Sequence, residues 1–125
     1  LRAFLDTHAA IFLWEGRAEL FGAGSREIVE QAVLLISPMV RLELQFLKEV
    51  GKLKVDPDQL LGLLSSDFGV TMTSDPLDAL VALAMPLTWT RDPFDRMLVA
   101  TALLHQIPLV TRDTRIHDHF PGAVW

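Results

Sequence analysis

The sequence predicts an α/β domain with a mainly parallel sheet. Three observations lead there. Apolar runs of strand length recur along the chain, and segments with helical spacing of apolar residues separate them. Four of those segments also open on Ser or Asp followed by Pro, a pattern of helix starts. Strands that alternate with helices favour parallel neighbours, because each crossover returns the chain to the same end of the sheet.

Residues 3–5, 33–36 and 108–110 read as buried strands, residues 70–73 as a weaker one, and residues 123–125 as a short terminal one. Helices are expected over 7–14, 26–32, 38–50, 57–65, 76–84 and 93–106. Ser37-Pro38, Asp56-Pro57, Asp75-Pro76 and Asp92-Pro93 each pair an N-capping side chain with a proline whose missing N–H costs nothing at a first helical position. GKLKVDP, residues 51–57, is a turn between helices, so residues 1–125 are expected to form one domain.

Bulk composition narrows the class. The chain is 50% hydrophobic and 22% charged, as a globular core requires. It contains no cysteine, which excludes disulfides and thiolate metal sites and suits a reducing cytosol. LRAFLDTHAAIFLW lacks the charged leader and small-residue cleavage site of a signal peptide. The longest apolar run, ALVALAMPL, is too short to span a bilayer, so a soluble, cytoplasmic protein is expected. The net charge of −5 disfavours duplex nucleic acid held by charge alone, although cations held by carboxylates would offset repulsion locally.

RDPFDRMLVATA, residues 91–102, repeats the template of SDPLDALVALA, residues 74–84. Asp92 and Asp75 read as caps. Asp95 and Asp78 both sit in a first helical turn above an apolar stripe, and local pattern does not separate them. In the helix over 38–50, Arg41, Gln45 and Lys48 mark a solvent face. Glu43, with Met39, Val40, Phe46 and Leu47 as its helical neighbours, emerges from the apolar side. A carboxylate there needs an arginine, a cation or a wet cavity. Topology adds a further constraint. Asp6 follows the first strand, Asp113 follows the strand over 108–110, and Asp95 opens the helix that feeds that strand. Carboxyl ends of parallel strands and helix N-termini share one edge, where crevices form. Asp6, Asp95 and Asp113 can therefore converge there with Glu43. Acids gathered without matching bases call for cations, and oxygen-only donors suit Mg2+ or Mn2+ rather than zinc.

Taken in order, FLDTHAAIFLW, ISPMVRLELQFLKEVGKL, RDPFDRMLVATAL and IPLVTRD resemble the PIN-domain ribonucleases, in particular the VapC-type toxins of toxin–antitoxin pairs. The likeness runs over essentially the whole chain. It implies a small parallel sheet sandwiched by helices and cleavage of RNA with Mg2+ or Mn2+. It also implies inhibition by a VapB-type antitoxin, and homodimerisation. Carried over position by position, the four metal-binding and catalytic acids fall on Asp6, Glu43, Asp95 and Asp113. Asp92 stays a cap, and Asp78 matches no site position. Thr7 and Thr111 become supporting groups, while Arg91, Arg96, Arg112 and Arg115 become candidates to hold an RNA backbone. Two rivals remain in view: an inactive PIN-like interaction module, and a phosphoryl-transfer domain using an acidic metal site. The latter lacks the second aspartate expected two residues after Asp6. His8, His105, His117 and His119 have neither thiol partners nor HExxH spacing, and His117 and His119 read as surface residues of a terminal loop. Trp14, Trp89 and Trp125 could stack on bases, with burial the commoner fate.

Overall fold

The computed structural model describes residues 1–125. Strand β1 (Arg2–Leu5) leads directly into α1 (Thr7–Glu15), followed by a single 3-10 turn, Ala18–Leu20, and α2 (Ala23–Gln31). Strand β2 (Val33–Ile36) then precedes α3 (Pro38–Glu49) and α4 (Pro57–Phe68). The remaining elements are β3 (Thr71–Met72), α5 (Leu77–Ala84), α6 (Pro93–His105), β4 (Leu109–Val110), α7 (Thr114–His119) and β5 (Ala123–Val124). The strands form one sheet in the order β3-β2-β1-β4-β5, and every pairing is parallel.

This order makes β1 the pivot. The chain winds from β1 outward through β2 and β3, then crosses back to place β4 and β5 on the other side. Such a reversal leaves a crevice beyond the carboxyl ends of the two strands that flank it. Phe4 lies opposite Leu109 and Leu5 opposite Val110, so β1 and β4 end level. The Asp6 N–H donates to the Val110 carbonyl at 2.9 Å and extends the pairing by one residue. Phe4, Leu5, Leu109 and Val110 are almost wholly buried, and so are Val99 of α6, Leu44 of α3 and Leu60 and Leu64 of α4. The crevice therefore rests on a packed floor.

Several expected boundaries move. Helix α2 begins three residues early, through the glycine-containing AGS stretch, because that segment packs on the chain's last residue. A Cβ on Gly22 would stand 2.8 Å from the Trp125 carbonyl carbon, so the approach requires glycine. Helix α4 runs on to Phe68 and stops at Gly69, which caps it in the left-handed conformation. Helix α7 replaces the expected terminal loop. Only Ile116 of its six residues is buried, which is too little for an apolar period to register.

The four Ser/Asp-Pro starts also diverge. Ser37 accepts from the Met39 N–H, and Asp92 accepts from the N–H groups of Phe94 and Asp95. Asp56 precedes α4 without a capping bond. Asp75 is not a cap: α5 starts at Leu77 with Pro76 in the cap position, and the Asp75 carboxylate instead takes His105 Nε2 at 2.9 and 3.0 Å. That pair ties the approach to α5 to the last turn of α6, where the His105 ring meets Phe4 edge-on at 5.2 Å.

Helix α3 aims Glu43. Val40 and Leu44 are buried, Met39 and Leu47 pack beside them, and Arg41, Gln45 and Lys48 face solvent. Phe46 departs from the expected apolar side. It is 50% exposed and leans on Phe94 at 6.3 Å, because the buried stripe runs through positions 40, 44 and 47. Leu42 and Leu44 test this orientation. Leu44→Ala is expected to cost about 2–5 kcal/mol, a fall in Tm on the order of 10 °C by calorimetry. Leu42→Ala, at a position 56% exposed, should stay within about 0.5 kcal/mol of the parent. Equal losses would contradict the helix orientation.

Candidate active site

Asp6, Glu43, Asp92, Asp95 and Asp113 line one cleft at the β1/β4 switch point. Each arrives by a different local device. Asp6 leaves β1 and caps α1, its Oδ1 accepting the Thr7 N–H at 2.6 Å. Its Oδ2 accepts the Thr111 hydroxyl at 2.6 Å, and the residue is only 5% exposed. Thr111 is fully buried, and its oxygen also accepts the Asp113 N–H at 3.1 Å. Asp113 in turn caps α7 by accepting the Ile116 N–H at 3.0 Å. One hydroxyl thus links the acids at the ends of the two central strands. On the other side, the Thr7 hydroxyl donates to Glu43 Oε1 and joins α1 to α3. Asp92 and Asp95 come from the cap and first turn of α6.

Three helix N-termini, those of α1, α6 and α7, carry these aspartates, and their partial positive charge offsets part of the repulsion. The offset is incomplete. Burial, and then Asp92, Asp113, Asp6 and Glu43 in that order, push the Asp95 carboxyl up to about 7. Burial also raises Glu43, reinforced by Asp6 and Asp92 and opposed by the Thr7 hydroxyl bond. No lysine or arginine forms an ion pair with any of the five acids. The side chains share the cleft without closing into a cluster of three at metal-holding separation.

The four acids singled out in the sequence therefore meet at one place, and Asp78 lies away from it, exposed on the first turn of α5. Other expectations change. Arg96 turns from the acids and donates from Nε to the Thr90 carbonyl at 2.9 Å. Arg112 lies over the Phe12 ring at 4.7 Å. His8, set aside in the sequence, also lines the cleft. Its Nε2 accepts the Arg112 N–H at 3.0 Å, which leaves Nδ1 to carry the proton, 3.6 Å from Asp6 Oδ2. Burial lowers its pKa against the pull of Asp6, so the ring is neutral and anchors the segment leading to Asp113. His117 is exposed but not idle, because its Nε2 donates to the Thr111 carbonyl at 2.6 Å. No spacing rule signals either histidine, because each partner is a backbone group brought near only by the fold.

Residues 3–120 match the family model of the PIN domain, and the chain belongs to that family. Among curated proteins it is similar to Ribonuclease VapC22 of Mycobacterium tuberculosis (strain ATCC 25618 / H37Rv), 29% identical over 126 residues that cover 97% of this chain and 96% of that protein. Its fold is also similar to a toxin–antitoxin complex from Klebsiella pneumoniae, with a TM-score of 0.70 at 22% identity over 98% of this chain and 96% of that one. VapBC2 from Rickettsia felis bound to a promoter DNA fragment aligns over all of both chains, with a TM-score of 0.66 at 15% identity. At these identities the two structures speak for the fold.

The raised Asp95 carboxyl predicts a pH signature for the chain stripped of metal. Its folded-state pKa of about 7 lies above the ordinary aspartate value of 3.8, so folding takes up a proton between the two. The protonated form's contribution to stability is fully present below about pH 4 and is lost as pH rises through about 7. In EDTA, Asp95→Asn should melt above the parent at pH 8, and the gap should close as pH falls toward 4. A gap that does not change with pH would contradict the charge repulsion assigned to this cleft.

Proposed function

We propose that the chain is a divalent-metal-dependent endoribonuclease that cleaves single-stranded or loop RNA and acts as the toxin of a toxin–antitoxin pair. One observation carries the reading. Asp6, Glu43, Asp95 and Asp113 come from four separate stretches of a PIN-domain chain and line a single cleft with no basic ion-pair partner. The likeness to Ribonuclease VapC22 along nearly the whole chain supports RNA as the substrate.

The donor set fits Mg2+ or Mn2+. It is built from carboxylate oxygens, and burial first, then the neighbouring carboxylates, raise the Asp95 carboxyl, a charge that a cation would stabilise. Asp6, Glu43, Asp95 and Asp113 would hold the ion or ions. Held there, Mg2+ or Mn2+ would supply positive charge at the scissile phosphate and lower the pKa of a water; the resemblance to PIN-domain ribonucleases implies products with a 5′-phosphate and a 3′-hydroxyl. The chain's own part is orientation. Thr111 and the Thr7 N–H fix both oxygens of Asp6, the Thr7 hydroxyl holds Glu43, and the Ile116 N–H fixes one oxygen of Asp113.

The same charge excess suits inhibition by a VapB-type antitoxin that sets an arginine among the carboxylates. The toxin–antitoxin assemblies among the structural neighbours are consistent with such a partner. A second copy of the chain is the proposed partner for the outer face of α5. Leu77, Val81 and Met85 recur there every fourth residue and are 66%, 43% and 68% exposed.

The test is cleavage of a single-stranded RNA with Mg2+ or Mn2+. EDTA should stop it. Asp95→Asn should lower kcat more than a hundredfold and Asp78→Asn should leave it within twofold. Thr111→Val, which frees Asp6, should cost roughly 10–100-fold, the usual range for a group that orients a metal ligand. Cleavage that persists in EDTA, or Asp78→Asn and Asp95→Asn behaving alike, would refute the assignment.

A further inference from the structure

A second cleft of about 450 Å3 opens beside the first. It shares Asp92, Asp95 and Asp113 with it, and its remaining walls include Trp89, Arg91 and Arg115. The Trp89 indole is half-buried and lies parallel to the His119 ring of α7, with centroids 5.0 Å apart and planes within 6°. Its support is rigid. Arg96 Nε donates to the carbonyl of buried Thr90, whose hydroxyl accepts the Asp92 N–H at 3.1 Å. Arg91 donates to the Thr88 carbonyl at 2.9 Å. Neither Arg91 nor Arg115 is paired with an acid, although three acids line the same cleft. A flat aromatic surface beside two guanidinium groups that no acid neutralises describes a ligand that is part π-face and part anion. A nucleotide of an unpaired strand has both parts, whereas a duplex hides its bases.

We propose that this cleft is the subsite for the nucleotide next to the scissile phosphate. Its base stacks on Trp89, and Arg91 and Arg115 take the adjoining phosphate. His119 does not line the cleft and is a positioning residue, which covers one face of the indole and holds its plane. The subsite accounts for how an acidic chain could grip RNA, because Arg91 and Arg115 stand together at one wall of the site. It also favours single strands. This inference rests on the ribonuclease reading above.

The experiment measures KM and kcat on a short single-stranded oligoribonucleotide in Mn2+, with Mn2+ affinity followed by calorimetry in the absence of RNA. Trp89→Ala should raise KM roughly 5- to 100-fold, the usual range for a lost base–aromatic stack, with a much smaller change in kcat and unchanged Mn2+ binding. Trp89→Phe should recover most of the loss. His119→Ala should raise KM less, and His119→Phe should restore it. Arg115→Ala should raise KM and flatten its dependence on salt. An abasic residue beside the cleavage point should cost the parent about what Trp89→Ala costs, and cost that variant little more. His119 and Arg115 are exposed, so their variants decide the matter if Trp89→Ala does not fold. If the parent cuts RNA while His119→Ala and Arg115→Ala keep its KM, the subsite is wrong and the nuclease stands. A parent that cuts no RNA with either metal removes the ribonuclease reading, and the subsite falls with it.

Discussion

Negative charge crowded at the ends of two buried strands is the constraint around which the rest of the molecule is arranged. Asp6 is nearly inaccessible, and four further carboxylates line the cleft it enters. Acids so placed repel one another, and a chain selected for stability alone would disperse them or pair each with a base. Here the compensation is built from weak, fixed dipoles. Three helices begin at the cleft, two threonine hydroxyls and several backbone N–H groups donate into it, and the neutral ring of His8 stands 3.6 Å from Asp6. Dipoles soften the repulsion without neutralising the charge, and burial together with the neighbouring acids still raises the Asp95 carboxyl. The remaining deficit is what a cation or a partner's arginine would make good.

The all-parallel sheet makes that crowding geometrically cheap. Because β1 and β4 end level and each runs almost at once into a helix, a residue just past either strand lies at a helix N-terminus. An aspartate there caps the helix and faces the crevice with the same side chain. Asp6 and Asp113 both do so. Cap and candidate ligand are therefore compatible roles. Asp92 belongs to the same pattern: it caps α6 through one oxygen and still lines the cleft.

What the sequence disclosed follows from the range of each signal. Strands 33–36 and 108–110, the helices between them and the burial of the stripe beneath Glu43 are written in local apolar periodicity, and they are present in the structure. The likeness of four ordered strings to PIN domains separated Asp95 from Asp78, which periodicity could not do. Interactions that depend on residues meeting across the fold left no local trace. Asp75 reads as a cap by every short-range rule, and its actual partner is His105, thirty residues on. Arg96 and Arg112 read as candidates to hold an RNA backbone, yet in the structure one serves a backbone carbonyl and the other an aromatic ring. Helix α7 has too few buried residues to declare a period, and with it the stack of His119 on Trp89 was invisible.

The two faces of the site answer to different physics. The acids rest on the sheet and on helix starts, where the packed core fixes backbone positions and leaves side chains little freedom. Trp89, Arg91 and Arg115 sit on the approach to α6 and on short α7, whose single buried residue is Ile116. Change on that side alters contacts at the surface without moving β1 or β4. Thr7 and Thr111 tie the acid constellation to the core, whereas the exposed Arg91 and Arg115 of the neighbouring wall can vary without disturbing it. The two template helices show the same division at the smallest scale. Asp95 and Asp78 begin equivalent turns, but only α6 places its first turn over the end of β4, and position in the sheet decides which aspartate meets the other acids.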